Sequence, residues 1–351
     1  MDAFAKIDSS SAVDSISARL ANRTARSDYY FRPDSYVENL INRVEKVLEE
    51  MVASDIDSME TIGRHMLFGY AKRLRPTFIL LTQQLFKEEI LESTVECAAA
   101  AELIHCASLF HDDVIDSAST RKGKKSANAI WGNKSAVIMG DRFFVLAYIL
   151  LAKQRDFRIL DIFVDTCRSL ADGIMLEMGN TGNMDIGEAT HFEIITKKTA
   201  NFFRNMSFVG GYLARTDEGN LEQLSNLGLN FGLAFQHSDD LLDLFADPDA
   251  TGKPRGSDLM AGLFTTPIIY ALATNPGFVD RFAPALRARS VGETEINQIS
   301  AFLKENGAFD YVKGLVKFHG QKAMECLDRL PECRANDSLR NLVTRIVERD
   351  Y

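Results

Sequence analysis

From Tyr36 onward, apolar residues recur at the three- and four-residue spacing of a helix face, beginning with Val37, Leu40, Ile41, Val44 and Leu48. Similar runs predict helices over 93–116, 134–153, 158–178, 191–213, 221–246, 258–273 and 310–329. Only eight prolines interrupt the chain, and no alternating series with Asn-Gly turns predicts hairpins. Gly and polar clusters punctuate it at 117–128, 179–190 and 247–257. No fixed repeat or flexible linker divides it. The pattern predicts one all-α domain over 36–351, a bundle of roughly ten helices. An N-terminal arm or residual leader precedes it over 1–35, where Asp2, Asp8 and Asp14 sit badly with an acid-poor organellar presequence.

Composition narrows the class. With 351 residues, 46% apolar and 25% charged, the chain has material for a large core and is not disordered. Forty basic against 49 acidic residues give a net charge of −9, which argues against nucleic acid as a partner. The longest apolar run, Phe143 to Ala152, is too short to cross a bilayer, so no transmembrane segment is expected. Five cysteines without CxxC spacing predict neither a disulfide scaffold nor a zinc site. A soluble, intracellular protein is expected.

Two segments share one pattern: Asp112-Asp113-Val-Ile-Asp116 and Asp239-Asp240-Leu-Leu-Asp243. With 28 aspartates in the chain, one such motif arises by chance in roughly one sequence in six, and two in only about a per cent or two. Residues i and i+4 lie about 40° apart on a helix, so Asp112 and Asp116 share a face. Asp113 is rotated by about 100° and is less directly involved. Carboxylates clustered at the end of an apolar helix repel one another unless cations sit among them. Hard oxygen donors without Cys or His favour Mg²⁺, which bridges phosphate oxygens. All six aspartates are therefore candidate metal residues for a diphosphate site. A solvated acidic helix end would explain one motif, but not the apolar run Leu103 to Phe110 that leads into the first.

Basic clusters flank both motifs: Lys72-Arg73-Leu74-Arg75, Arg121-Lys122, Lys197-Lys198 and Lys253-Pro254-Arg255. Singly each is a surface charge run; beside paired aspartates they suit an anionic substrate.

The segments KRLRP (72–76), LIHCASLFHDDVID (103–116), KKTA (197–200), FQHSDDLLD (235–243) and TGK (251–253) resemble those of the all-trans polyprenyl diphosphate synthases, in the family's order. The resemblance implies the isoprenoid-synthase helical bundle with a central active-site cavity. It implies that Asp112, Asp116 and Asp239 bind Mg²⁺, with Asp240 and Asp243 acting through coordinated water. It places Arg121, Lys198, Thr199, Gln236 and Lys253 on an allylic diphosphate, and Lys72, Arg75, His105 and Lys122 on isopentenyl diphosphate. His105 lies seven residues before Asp112, on the same helix face.

The implied chemistry needs no nucleophilic side chain. Cations make the allylic diphosphate a better leaving group, the double bond of isopentenyl diphosphate attacks the allylic cation, and the departed diphosphate takes the proton. Thr199 and Gln236 would face the positive charge. Ala107 and Ser108 stand where short-chain relatives carry bulky aromatics, so they leave the tail's tunnel open. Phe143, Phe144 and Tyr148 are candidate floor residues, though core packing accounts for them equally. Together with Gly262-Leu263-Phe264-Thr265-Thr266-Pro267, this implies an octaprenyl to decaprenyl product, with solanesyl central, for a quinone (ubiquinone) side chain. A homodimer is expected, and a mitochondrial location if the source is eukaryotic.

Several positions depart from the family pattern. Lys122 stands for an arginine, Ala71 for a glycine, and Ile174 and Glu177 for Glu and Gln. The end, Glu348-Arg349-Asp350-Tyr351, offers little of the basic tail some relatives use. Two rival readings are weaker. A class I terpene cyclase has no use for Lys72, Arg75 and His105, and a non-catalytic partner subunit is expected to carry degraded motifs.

Overall fold

A computed structural model describes residues 35–68, 72–121, 123–246 and 255–349. The N-terminal arm, Ala71, Lys122 and Lys253 lie outside the described residues. The architecture is all-α. Its order is α1 (Ser35–Val52), α2 (Asp57–Leu67), α3 (Leu74–Gln84), α4 (Glu92–Ile115), α5 (Ala127–Trp131), α6 (Asn133–Lys153), α7 (Phe157–Gly179) and α8 (Glu188–Ile195). A π-turn (Thr196–Ala200) leads into α9 (Asn201–Ala214) and α10 (Glu218–Phe245). Then come α11 (Ser257–Met260), α12 (Thr266–Thr274), α13 (Pro276–Ala288), α14 (Glu293–Glu305), α15 (Ala308–Leu327) and α16 (Arg334–Val347).

The long apolar runs become helices within a few residues of their expected bounds. Two differ. The run 191–213 is divided by the π-turn Thr196–Ala200 into α8 and α9. The run 258–273 splits into α11 and α12 because Gly262 takes φ +81°, and Pro267 opens the second helix. A small hairpin also forms after the first aspartate motif, pairing Thr120 with Lys125 and Arg121 with Lys124.

Two helices carry the motifs through the middle of the bundle. Helix α4 packs against α1, α3 and α6, and its run Ala98–Ala101 is wholly buried, so neighbours approach closely. Phe110 meets Phe143 of α6 edge-on at 5.2 Å. Helix α10 packs against α9, the π-turn and α15. Phe231 locks it to Phe78 of α3 and Phe203 of α9 at ring separations of 4.3 and 4.9 Å. Burying such side chains contributes about 1.5–3 kcal/mol each and holds the motif-bearing helix ends in fixed register.

Helix α6 corrects one expectation. At 21 residues with a mean hydropathy of 1.7 over its most apolar window, it is long and apolar enough to cross a membrane. The charged and polar residues scattered along it broke the run that the sequence reading required. Its inner face, including Met139, Phe143, Ala147 and Leu150, is nevertheless packed in the core. Val137, Ile138, Val145 and Ile149 remain exposed.

Candidate active site

Helix α4 ends at Ile115, with Asp116 as its last, capping residue. Asp112 is half-buried and Asp116 exposed, one turn apart, while Asp113 is fully buried. Asp113 Oδ1 accepts from Arg121 Nε at 2.7 Å and pairs with Nη2 at 2.6 Å, while its buried Oδ2 has no hydrogen-bond partner among the described residues. Burial raises the Asp112 carboxyl to about 6, against the lowering influence of Lys198 and Arg121. Asp116 is raised too, by burial and by Glu177, although Lys198 again opposes the shift. Burial thus makes both carboxylates costly to ionise in spite of the neighbouring Lys198 and Arg121.

The π-turn supplies the facing cation. Helix α7 and helix α10 clamp it through two glycines. A Cβ at Gly173 would stand 2.7 Å from Lys198 Cγ and 2.9 Å from its backbone nitrogen, and one at Gly232 would stand 2.5 Å from Ala200 Cα. The widened turn sets Lys198 toward Asp112 and Asp116, and Thr199 toward α10. Such π-turns occur often at functional sites. Lys198 Nζ donates to Glu177, whose carboxylate lines the same cavity. This cavity has a volume of about 330 Å³ and is lined by Asp116, Arg121, Glu177, Lys198, Gln236 and Asp240, among others.

The second motif lies within α10 and behaves differently. Asp239 is partly exposed and pairs with Arg349 at 3.0 Å. Asp240 is 1% exposed. Its Oδ2 accepts from His191 Nε2 (3.3 Å) and Thr266 Oγ1 (3.1 Å), and its Oδ1 from Gln236 Nε2 (3.1 Å). Asp243 accepts from Ser257 Oγ at 2.6 Å and fixes the start of α11. Asp239 and Asp243 are partly exposed, whereas Asp240 borders the cavity with its oxygens engaged in internal hydrogen bonds. Among the described residues, no three His, Cys or carboxylate side chains stand together as a ready-made metal cage. Hard carboxylates dispersed around a cavity suit cations that share their coordination with substrate oxygens and water.

The basic cluster at 72–75 divides. Arg73, at φ +52°, turns inward to Glu45 and Glu102 and anchors the start of α3. Lys72 lies over the Phe235 ring at 5.7 Å, one turn before Asp239, and Arg349 lies over the same ring at 5.6 Å. Arg75 stacks on Phe202 and Phe203; its buried Nε has no hydrogen-bond partner, and burial pushes its pKa down to about 10. A second cationic region thus adjoins Asp239. His105 is half-buried on α4, where its carbonyl accepts from Ser108 Oγ at 2.9 Å. Ala107 and Ser108 are both buried. Phe143 is core, Phe144 neighbours His111, and Tyr148, its pKa raised by burial, hydrogen-bonds with Cys167 of α7.

Three residues escaped the sequence reading of the site. Glu177 registers in the sequence only as a departure from a pattern. His191 shows one trace, its place seven residues before Lys198. Arg349 sits in a tail that was expected to contribute little.

The polyprenyl synthetase family pattern matches residues 57–303. The chain is 32% identical to the octaprenyl diphosphate synthase of Haemophilus influenzae, covering 88% of this chain and 94% of that one. It is also 32% identical to heptaprenyl diphosphate synthase component 2 of Geobacillus stearothermophilus, over 90% of this chain and 98% of that one. Its fold superposes on a Caulobacter crescentus polyprenyl synthase, solved with calcium and isoprenyl diphosphate, with a TM-score of 0.85 and 30% identity over 90% of this chain and 96% of that chain. A bundle built around two aspartate motifs, with this extent of similarity, identifies the chain as a prenyltransferase of the polyprenyl synthetase family.

Proposed function

We propose that this trans-prenyl diphosphate synthase adds isopentenyl diphosphate successively to an allylic diphosphate, making an all-trans product of octaprenyl to decaprenyl length. Solanesyl diphosphate is the central value, and a quinone side chain its use. The observation that carries the reading is the pairing of two cationic regions with two aspartate sets. Arg121 and Lys198 stand at Asp112 and Asp116; Lys72 and Arg75 stand at Phe235 and Asp239. A terpene cyclase needs only the first.

The donor set fits Mg²⁺: Asp112 and Asp116 are hard oxygen donors one helical turn apart, and Asp239 is a partly exposed carboxylate. Bound there, Mg²⁺ would neutralise diphosphate charge and improve the leaving group. Lys198 and Arg121 add charge to the allylic diphosphate, while Arg75 and Lys72 hold the second substrate. Thr199 and Gln236 stand beside Lys198, where they face the allylic carbon. Buried Ala107 and Ser108 leave room for a growing tail beside α4. The exposed apolar residues of α6 and α7, among them Ile138, Val145, Val164 and Met175, support a homodimer.

Purified protein incubated with farnesyl diphosphate, labelled isopentenyl diphosphate and Mg²⁺ should give a long polyprenol after dephosphorylation, and none with EDTA. Ser108→Phe should shorten that product by several isoprene units at little loss of the first condensation. A cyclised product, or no condensation at all, would refute the reading.

A further inference from the structure

Four elements are joined by one line of hydrogen bonds, in which His191, Asp240 and Gln236 border the cavity and Thr199 is buried beside Gln236. Asp240 is the fixed point. It is 1% exposed, and both of its oxygens accept: Oδ2 from His191 and Thr266, Oδ1 from Gln236. Gln236 must therefore turn its amide NH₂ toward Asp240 Oδ1 (3.1 Å), which leaves Oε1 pointing at Thr199. Thr199 in turn must donate its single hydroxyl proton to that oxygen, at 2.8 Å. With the proton committed, the Thr199 hydroxyl can offer only lone pairs elsewhere. That is the polarity suited to a developing positive charge.

Asp240 does not hold its position unaided. Thr266 Oγ1 donates to Oδ2 at 3.1 Å, and because that proton is spent, Thr266 accepts from His237 Nδ1 at 3.2 Å. The remaining His237 nitrogen is buried without a hydrogen-bond partner, as expected of a neutral ring. On the other side His191, from α8, donates Nε2–H to the same Oδ2 at 3.3 Å. His191 is 7% exposed and is the only one of these donors on the segment that runs directly into the π-turn.

We propose that His191 is a positioning residue for the condensation, acting through Asp240 and Gln236 to hold the Thr199 hydroxyl with its lone pairs toward the allylic carbon. The inference rests on the reading under Proposed function. It separates His191 from the residues that hold diphosphate: its loss should change the rate of ionisation and leave substrate binding intact.

The test is a double-mutant cycle on the purified enzyme, with farnesyl diphosphate, labelled isopentenyl diphosphate and Mg²⁺. His191→Phe should lower kcat about 10- to 100-fold, the range found when a supporting partner of a reactive group is removed. KM for both substrates and binding of Mg²⁺-pyrophosphate by calorimetry should stay within about twofold, well inside the effect expected for a binding residue. His191→Gln, which keeps an N–H donor, should recover most of the rate. Combining His191→Phe with Thr199→Val should lower kcat no further than Thr199→Val alone. Additive losses, a rise in KM in place of a fall in kcat, no rescue by Gln, or an unchanged kcat would overturn the inference. A wild-type enzyme inactive in condensation would instead defeat the functional reading on which it rests.

Discussion

The two aspartate motifs have the same spelling and opposite surroundings. At the end of α4, Asp116 borders the cavity and Asp112 stands half-buried one turn behind it, both raised by burial, while the middle Asp113 is held through one oxygen by Arg121. Within α10, the first residue reaches outward, the second is buried among three side-chain donors, and the third pins the start of α11. The difference follows from what packs on each helix end, since both helices stop within two residues of their motifs. The last turn of α4 leaves Asp116 exposed. Helix α10 carries its motif against α8, α11 and α12, which bury the same face. On the proposed function, the repeated motif divides into one cation-binding pair plus one cation-binding residue, with Asp113, Asp240 and Asp243 hydrogen-bonded within the frame.

The largest break in the comparison should come at the first motif. Asp112→Asn or Asp116→Asn should lower kcat by about 10²–10³-fold while the protein stays folded, measured as isopentenyl incorporation beside a thermal melt. In the second motif, Asp240→Asn should act first on stability. Removing the charge that three side-chain donors and the Thr266 backbone N–H surround should destabilise the fold by about 2–3 kcal/mol in urea unfolding. Its loss of rate should be smaller than that of Asp112→Asn.

The pH dependence sharpens the contrast. Asp112 has a folded-state pKa of about 6, above its ordinary value of 3.8. Between those values the folded protein binds the extra proton, so metal-free stability falls as pH rises from about 4 to about 6. Asp240 is shifted the other way, so its contribution is present above the ordinary carboxylate range and is lost as pH falls below it. Without metal, Asp112→Asn should flatten the pH 4–6 slope and gain about 1–2 kcal/mol at pH 7; with Mg²⁺-pyrophosphate bound the order should reverse. The smallest effect is expected at Arg349, which pairs with Asp239 at 3.0 Å. Arg349→Ala should lower the Mg²⁺ concentration for half-maximal pyrophosphate binding by about two- to fivefold, the range of a partly exposed ion pair.

Helix register carried much of this into the sequence. The four-residue spacing of Asp112 and Asp116, and the sideways turn of Asp113, follow from 3.6 residues per turn and needed no tertiary contact. The long apolar runs gave α4, α6, α7 and α10 because their burial patterns repeat over many turns. What was not legible depends on partners distant in sequence. Asp240 reads like Asp113 until His191 and Thr266 arrive from α8 and α12. The π-turn at Thr196–Ala200 leaves no mark on the periodicity, since it shifts the register by a single residue, and only Gly173 and Gly232 betray the close packing around it. Arg73 and Arg75 are indistinguishable in a basic run; Glu45 and Glu102 decide which one turns inward.

The division of labour between the motifs is tested most directly by counting Mn²⁺ ions bound with pyrophosphate, by electron paramagnetic resonance, in variants with matched thermal melts. Asp112→Asn, Asp116→Asn and Asp239→Asn should each lose bound ions, whereas Asp113→Asn and Asp240→Asn should retain the wild-type number. Loss of ions from the Asp113 or Asp240 variant equal to that from the Asp112 variant would contradict the account.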